Sequence, residues 1–166
     1  MTPAPAEFAA APLDQGTKLV TGVVGVLVLI GLPLAVAEAS DARIGGLLAL
    51  AGLLLLGTTY AFAPASYALD GTVLEVRRHV VGPRRYQLGK RVTAQRWELR
   101  RGDIRLFGTG GVFGHFGKFR RRGVGTYRMH VTERWGMVAV PTESGELVVV
   151  SPADLAGFEA AVKAAR

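Results

Sequence analysis

A chain of 166 residues with a formal net charge of +7 and no cysteine has room for one small globular domain once its apolar N-terminal third is set aside, which excludes a large multidomain enzyme. The absence of cysteine excludes a disulfide framework, a thiolate nucleophile and a Cys-ligated zinc. The charge is unevenly divided: residues 19–37 and 44–69 contain no charged side chain, whereas residues 70–166 carry twice as many Lys and Arg as Asp and Glu. A basic surface suits anionic partners, and beside a bilayer these are first the acidic headgroups of the cytoplasmic leaflet. Nucleic acid is the less economical partner.

Residues 1–17 are rich in Ala and Pro and show no apolar periodicity. Such a segment buries too little surface to offset its chain entropy, so a disordered tail is expected. Residues 18–65 read as a two-helix transmembrane hairpin, because a helix needs about 20 apolar residues to cross roughly 30 Å of hydrocarbon and both uncharged runs reach that length. Lys18 precedes the first run, which only glycines interrupt before Pro33. Glu38, Ser40, Asp41 and Arg43 make a short polar connector, and residues 47–56 are the most hydrophobic stretch of the chain. Small-residue spacings at Gly22/Val26 and Gly45/Ala49/Gly52 suit close contact within the hairpin. Tyr60, Phe62 and Tyr67 with Pro64 fall where the second span leaves the hydrocarbon, the depth at which aromatic rings gather.

Loop charge sets the expected orientation. The connector has a single Arg, whereas Arg77, Arg78, Arg84, Arg85, Lys90 and Arg91 follow the second span. Both termini are therefore expected on the cytoplasmic side of the inner membrane, in a multi-pass protein. A cleaved signal peptide is the competing reading, since Ala35-Val36-Ala37 before Glu38 imitates a small-x-small cleavage pattern. Against it, the apolar run exceeds a typical signal core, and the preceding tail has Glu7 and Asp14 against Lys18 alone, the wrong sign for such a leader.

Residues 66–166 read as one cytoplasmic, mainly-β domain. Alternating runs appear at 72–77, introduced by the Asp70-Gly71 turn pair, at Val80 and Val81 before Gly82-Pro83, and at 86–88, 92–99, 104–107, 125–132, 136–140 and 146–150. Ser151-Pro152-Ala153-Asp154 reads as a helix start with Ser151 as N-cap and Pro152 at the first helical position. Leu155, Phe158 and Val162 then share one stripe, and Lys163 and Arg166 suit the C-terminal end of the dipole. About seven antiparallel strands and a terminal helix give the element order of a split barrel capped by a helix.

Four stretches carry a family resemblance. Tyr67-Ala-Leu-Asp-Gly-Thr-Val-Leu-Glu-Val, then Arg105-Leu-Phe-Gly-Thr-Gly-Gly-Val-Phe-Gly-His-Phe-Gly-Lys-Phe, then Gly125-Thr-Tyr-Arg-Met-His-Val-Thr with Leu147-Val-Val-Val-Ser-Pro-Ala-Asp-Leu-Ala-Gly-Phe resemble small bacterial membrane proteins bearing a pleckstrin-homology-like (PH-like) domain. The resemblance implies a PH-like split barrel and a membrane-tethered binding or scaffolding role, with no reaction attached. Two departures matter. Arg77-Arg78-His79 lacks the Lys and Arg-x-Arg spacing with which many eukaryotic relatives hold phosphoinositide, which argues against that specificity. The tryptophan of the eukaryotic terminal helix is replaced by Phe158.

The segment 107–125 is the candidate site, because Phe113, Phe116 and Phe119 alternate with glycines beside Lys118, Arg120, Arg121 and Arg122. On a loop facing the bilayer the rings would enter the interface and the cations would pair with phosphate oxygens, each contributing about 1 kcal/mol. The opposing reading makes the rings core residues of a bulged hairpin and the arginines a solvated edge. Nucleotide binding fails on spacing, as Gly108-x-Gly110-x-x-x-Gly114 is one residue too long for the dinucleotide fingerprint and Gly117-Lys118 lacks the rest of a P-loop. His79, His115 and His130 lie on separate elements, so no metal site is expected; His115 reads as an exposed turn residue and His130 as an alternating strand position. No catalytic residues and no cofactor are expected. Trp97 and Trp135 read as strand-end packing. The function expected is a non-catalytic membrane-anchored PH-like module that recognises protein segments or acidic lipid headgroups. The alternative is an auxiliary or immunity-type subunit acting on another membrane complex through its transmembrane helices.

Overall fold

The computed structural model describes residues 5–38, 42–89 and 92–165. Ser40 and Asp41 of the expected connector, along with Lys90, Arg91 and Arg166, lie outside them. The N-terminal segment expected to be disordered instead contains strand β1 (Ala6–Ala9), which pairs antiparallel with β2 (Pro64–Asp70), Phe8 opposite Tyr67. Phe8 also packs edge-on against Phe158 at 5.3 Å, and Glu7 pairs with Arg77 at 2.7 Å. This partner lies beyond both apolar helices in the chain, so local composition carries no sign of it.

Asp14 caps the first helix, its side chain accepting from the Thr17 amide at 2.7 Å. Helix α1 (Gln15–Val26) runs through a π-helical turn (Leu27–Gly31) into α2 (Leu32–Glu38). The wider turn falls just before Pro33, which lacks an N–H and cannot close an ordinary turn, and the Leu32 amide accordingly donates to the Leu27 carbonyl. Helix α3 (Ala42–Phe62) returns beside it. Residues Gln15–Val36 and Arg43–Phe62 are long and apolar enough to cross a membrane, with mean hydropathies of 2.6 and 1.8, and the protein itself buries 0% and 6% of those windows. Gly45 faces Val36, and Gly52 faces Val28 and Leu32, with no room for a larger side chain; Gly22 faces open space. Of the small-residue spacings, the pair on α3 therefore packs within the hairpin.

The near ends of α1 and α3 are fastened to the β-rich part. Beyond β2, strands β3 (Val73–Arg78) and β4 (Arg84–Gln87) complete a four-stranded sheet in the order β1-β2-β3-β4. A second sheet has six strands in the order β5-β9-β10-β8-β7-β6: β5 (Gln95–Trp97), β6 (Ile104–Gly110), β7 (His115–Arg121), β8 (Gly125–Val131), β9 (Met137–Pro141) and β10 (Leu147–Val150). Strand β10 enters between β8 and β9, antiparallel to β9 and parallel to β8, so the expected all-antiparallel order does not hold. The sheets form no closed barrel. His115 opens β7 half-buried rather than standing in an exposed turn.

The sheets face each other across Leu74, Val76, Val138, Val140, Val148 and Val150, with Phe158 and Val162 of α4 (Leu155–Ala164) closing one end. Asp154, not Ser151, caps α4, accepting from the Gly157 amide at 2.9 Å. Ser151 is used elsewhere: its hydroxyl accepts from the Thr132 amide at 2.9 Å, while Pro152 bridges to Ala10. The Tyr67 hydroxyl ties the sheets together by donating to the His130 carbonyl at 2.7 Å, and burial pushes its pKa up to about 12. On its other face the larger sheet curls until Trp97 of β5 meets Tyr127 at 5.2 Å, around Phe119, Met129 and Met137.

Candidate functional site

Successive residues of a strand point to opposite faces, and β7 thereby divides the candidate residues into two sets. Phe119 and Arg121 point into the curl. Phe119 is buried, and Arg121 clamps Asp103 with Nε–Oδ1 at 2.5 Å and Nη2–Oδ2 at 2.6 Å while its Cζ lies 4.0 Å above the Trp97 ring. The Asp103 side chain is 1% exposed. Burial pushes its pKa up, but hydrogen bonds from Arg121 and the Arg100 amide outweigh that and hold it low. Arg121 is thus committed to the fold.

Phe116, Lys118 and Arg120 occupy the opposite face, Phe116 buried and the two cations exposed. Arg122 follows in the exposed turn to β8. Phe113 stands apart in the β6–β7 turn at a left-handed φ of 54°. Its amide donates to the Thr21 hydroxyl at 2.9 Å and its ring meets Tyr60 at 5.3 Å, which seats the turn on α1 and α3. Trp97 is buried as expected, but Trp135 is 75% exposed in the β8–β9 loop. It follows Arg134, whose amide donates to Asp14 at the start of α1 at 3.1 Å.

The face of β7 carrying Phe116 and Lys118 opens on a groove of about 950 Å³ between the two sheets and the near end of the hairpin. Its lining continues the inward-facing rows of the core. In β3 the row Leu74, Val76 ends in Arg78; in β4 Tyr86 is followed, two positions back, by Arg84, opposite Val76. In the larger sheet Val148 pairs with Arg128 and Val150 with His130, and these in turn pair with Lys118 and Phe116. Arg105 of β6 completes the set. Five cations therefore line the groove, four on the inward rows and Arg105 on the rim strand β6, where it stands opposite Phe119, and no described residue lining the groove is acidic. Arg128 is paired with Glu146 at 3.0 Å, and Arg78 donates to the Gly82 carbonyl. Arg84, Arg105 and Lys118 have no carboxylate partner among the described residues.

The electrostatics reflect this crowding of like charge. Burial first, then the charge of Arg84, lowers the pKa of Arg78. His130 is buried, and burial together with the fields of Arg84, Arg78 and Arg128 pushes its pKa down to about 3, so its ring is neutral at physiological pH. Its Nε2 shares a hydrogen bond with the Tyr86 hydroxyl at 2.7 Å, and its Nδ1 is buried without a partner.

The opposite wall is apolar. Val24 of α1 and Leu55, Leu56 and Phe62 of α3 line it, and the hydroxyls of Thr58 and Thr59 are turned back onto helix carbonyls at 2.7 and 2.6 Å. At its rim β6 is an edge strand whose register shifts between Arg105 and Phe107, a bulge that leaves Leu106 51% and Phe107 80% exposed. Gly108 and Gly117 face one another at φ values of 113° and 133°, and a Cβ on Gly117 would run into the Phe107 carbonyl oxygen. These glycines let the two strands cross tightly under the groove.

Phe116 and Lys118 are the candidate residues that the structure brings to this groove. Sequence reading counted Arg78 and Arg84 only as topogenic charge and missed Arg105, Arg128 and His130 as lining residues. The available signal was a cation continuing an aliphatic period-2 row, as in Leu74-Val76-Arg78. Among the described residues no group of His, Asp and Glu is gathered closely enough to hold a metal ion. Cations, one neutral imidazole and an apolar wall suit the holding of an anion with a greasy attachment.

Two apposed sheets with an amphipathic C-terminal helix over one end, and a lined cleft at the other, are joined to an apolar helical hairpin. The family model for the bacterial PH domain matches residues 65–165, well over half the chain, and the protein belongs to that family. Comparison with curated proteins and with solved structures finds no match.

Proposed function

We propose that the protein is a non-catalytic PH-like binding module held at the inner face of the cytoplasmic membrane by its helical hairpin, with both termini in the cytoplasm, where it recognises an anionic ligand, either an acidic lipid headgroup or an acidic protein segment. The observation that carries the reading is the set of five cations lining the groove between hairpin and sheets, of which only Arg128 has a carboxylate partner among the described residues. Like charges gathered with a single carboxylate among them, Glu146 on Arg128, disfavour the empty state and favour an anionic occupant. Anchoring helps in a second way, since a tethered module meets its ligand at high local concentration and weak contacts suffice. The arginine excess after the second apolar helix supports the orientation.

Melting the full-length protein in neutral detergent tests this reading. A ligand that binds only the folded state raises the melting temperature. Dioleoylphosphatidylglycerol or a polyglutamate peptide is expected to raise it by several degrees, and dioleoylphosphatidylcholine is not. Equal melting temperatures with all three additives would overturn the proposal.

A further inference from the structure

Resting on that binding reading, we infer that the occupant is one anionic glycerophospholipid drawn sideways from the surrounding leaflet, its phosphodiester among Arg84, Arg105, Lys118 and Arg128 and its acyl chains along α1 and α3. The groove is divided in the same way as such a lipid. Its floor is cationic, and its apolar wall continues from Phe62 up α3 to Leu55, about 10 Å at 1.5 Å per residue, into the part of the hairpin that lies in hydrocarbon. A volume near 950 Å³ is at the upper end of small-ligand sites and accommodates a phosphoglycerol headgroup with the first acyl carbons.

An acidic peptide fits this division poorly. Along the helical wall it would meet side-chain carbons and threonine hydroxyls already bonded to the Leu54 and Leu55 carbonyls, leaving its own amides unsatisfied in a dry setting. A free phosphate would use the floor and leave the wall, Leu106 and Phe107 uncovered. A lipid covers both. His130 adds a neutral polar ring to the lining of the cationic floor.

Native mass spectrometry of the full-length protein released from nanodiscs of equal dioleoylphosphatidylglycerol and dioleoylphosphatidylcholine tests the inference. One phosphatidylglycerol per chain should remain bound, preferred over phosphatidylcholine by about tenfold or more. The exposed pair Arg105→Gln and Lys118→Gln should cut that preference about tenfold while the melting temperature in neutral detergent stays within a few degrees. Soluble glycerophosphoglycerol, the headgroup without chains, should give no thermal shift at concentrations where the lipid does. Equal retention of the two lipids, or a headgroup as effective as the whole lipid, overturns the inference. A thermal shift with polyglutamate but no retained phosphatidylglycerol overturns it while leaving the binding reading in place; no shift with any anion removes both.

Discussion

At the α4 end of the two sheets, Leu74, Val76, Val138, Val148 and Val150 close on Phe158 with no exposed surface, while further along or across the same inward rows stand Arg78, Arg84, Arg128 and Lys118. The first end is stabilised by its own packing, since each fully buried aliphatic or aromatic side chain contributes about 1.5–3 kcal/mol. The second end gains nothing comparable, because its cations repel one another across a partly dry cleft. One strand-period pattern thus serves two purposes in a single sandwich: where the inward residues are apolar they make the core, and where they are cationic the core is left open as a groove.

Three experiments test that contrast. Phe158→Ala removes the aromatic plug that Phe8 and Tyr67 pack against and should cost about 3–5 kcal/mol in detergent-phase unfolding; a small loss would mean that the apolar end is not what holds the sheets together. Acidification probes the other end. Because the folded state refuses His130 a proton until about pH 3 whereas the unfolded chain accepts it near 6.5, stability should be full above pH 6.5 and fall by about 1.4 kcal/mol per pH unit below it. Melting curves from pH 7.5 to 4.5 read this out. The slope should flatten in His130→Gln, and a flat wild-type curve would show that Arg78, Arg84, Arg128 and burial do not hold the ring neutral. Arg84→Met has the smallest expected effect, a gain of about 1 kcal/mol without added lipid, since it relieves repulsion while keeping the apolar stem over Tyr86. A loss of that size would mean that the cations are already balanced and the groove asks for no ligand.

Much of this architecture is legible in the chain because its signals are local. The hairpin follows from two uncharged runs, β3 and β8 from alternation, and the stripe of α4 from Phe158 and Val162. What escaped depends on partners distant in sequence. Strand β1 is Ala-rich and weak by itself and exists through pairing with β2. The helix cap moved from Ser151 to Asp154 because Thr132 takes the serine hydroxyl. Within the candidate segment, the mixture of phenylalanine and arginine looks uniform along the chain, yet alternation in β7 sends Phe119 and Arg121 into one cluster and Phe116 and Lys118 to the groove. Arg121 shows why charge alone misleads, for its guanidinium is already occupied by Asp103. The remaining groove cations come from four different strands in two sheets, so no local spacing reveals them.

The ladder between β1 and β2 bears on how the molecule is assembled. Strand β1 is synthesised before either apolar helix and its mate after both. The four-stranded sheet stays unfinished until α3 has brought the chain back to the side from which α1 departed. A chain whose second apolar helix did not fold back along the first would keep the two strands apart and leave the edge of β2 unpaired. Completion of that ladder therefore requires the hairpin to close first.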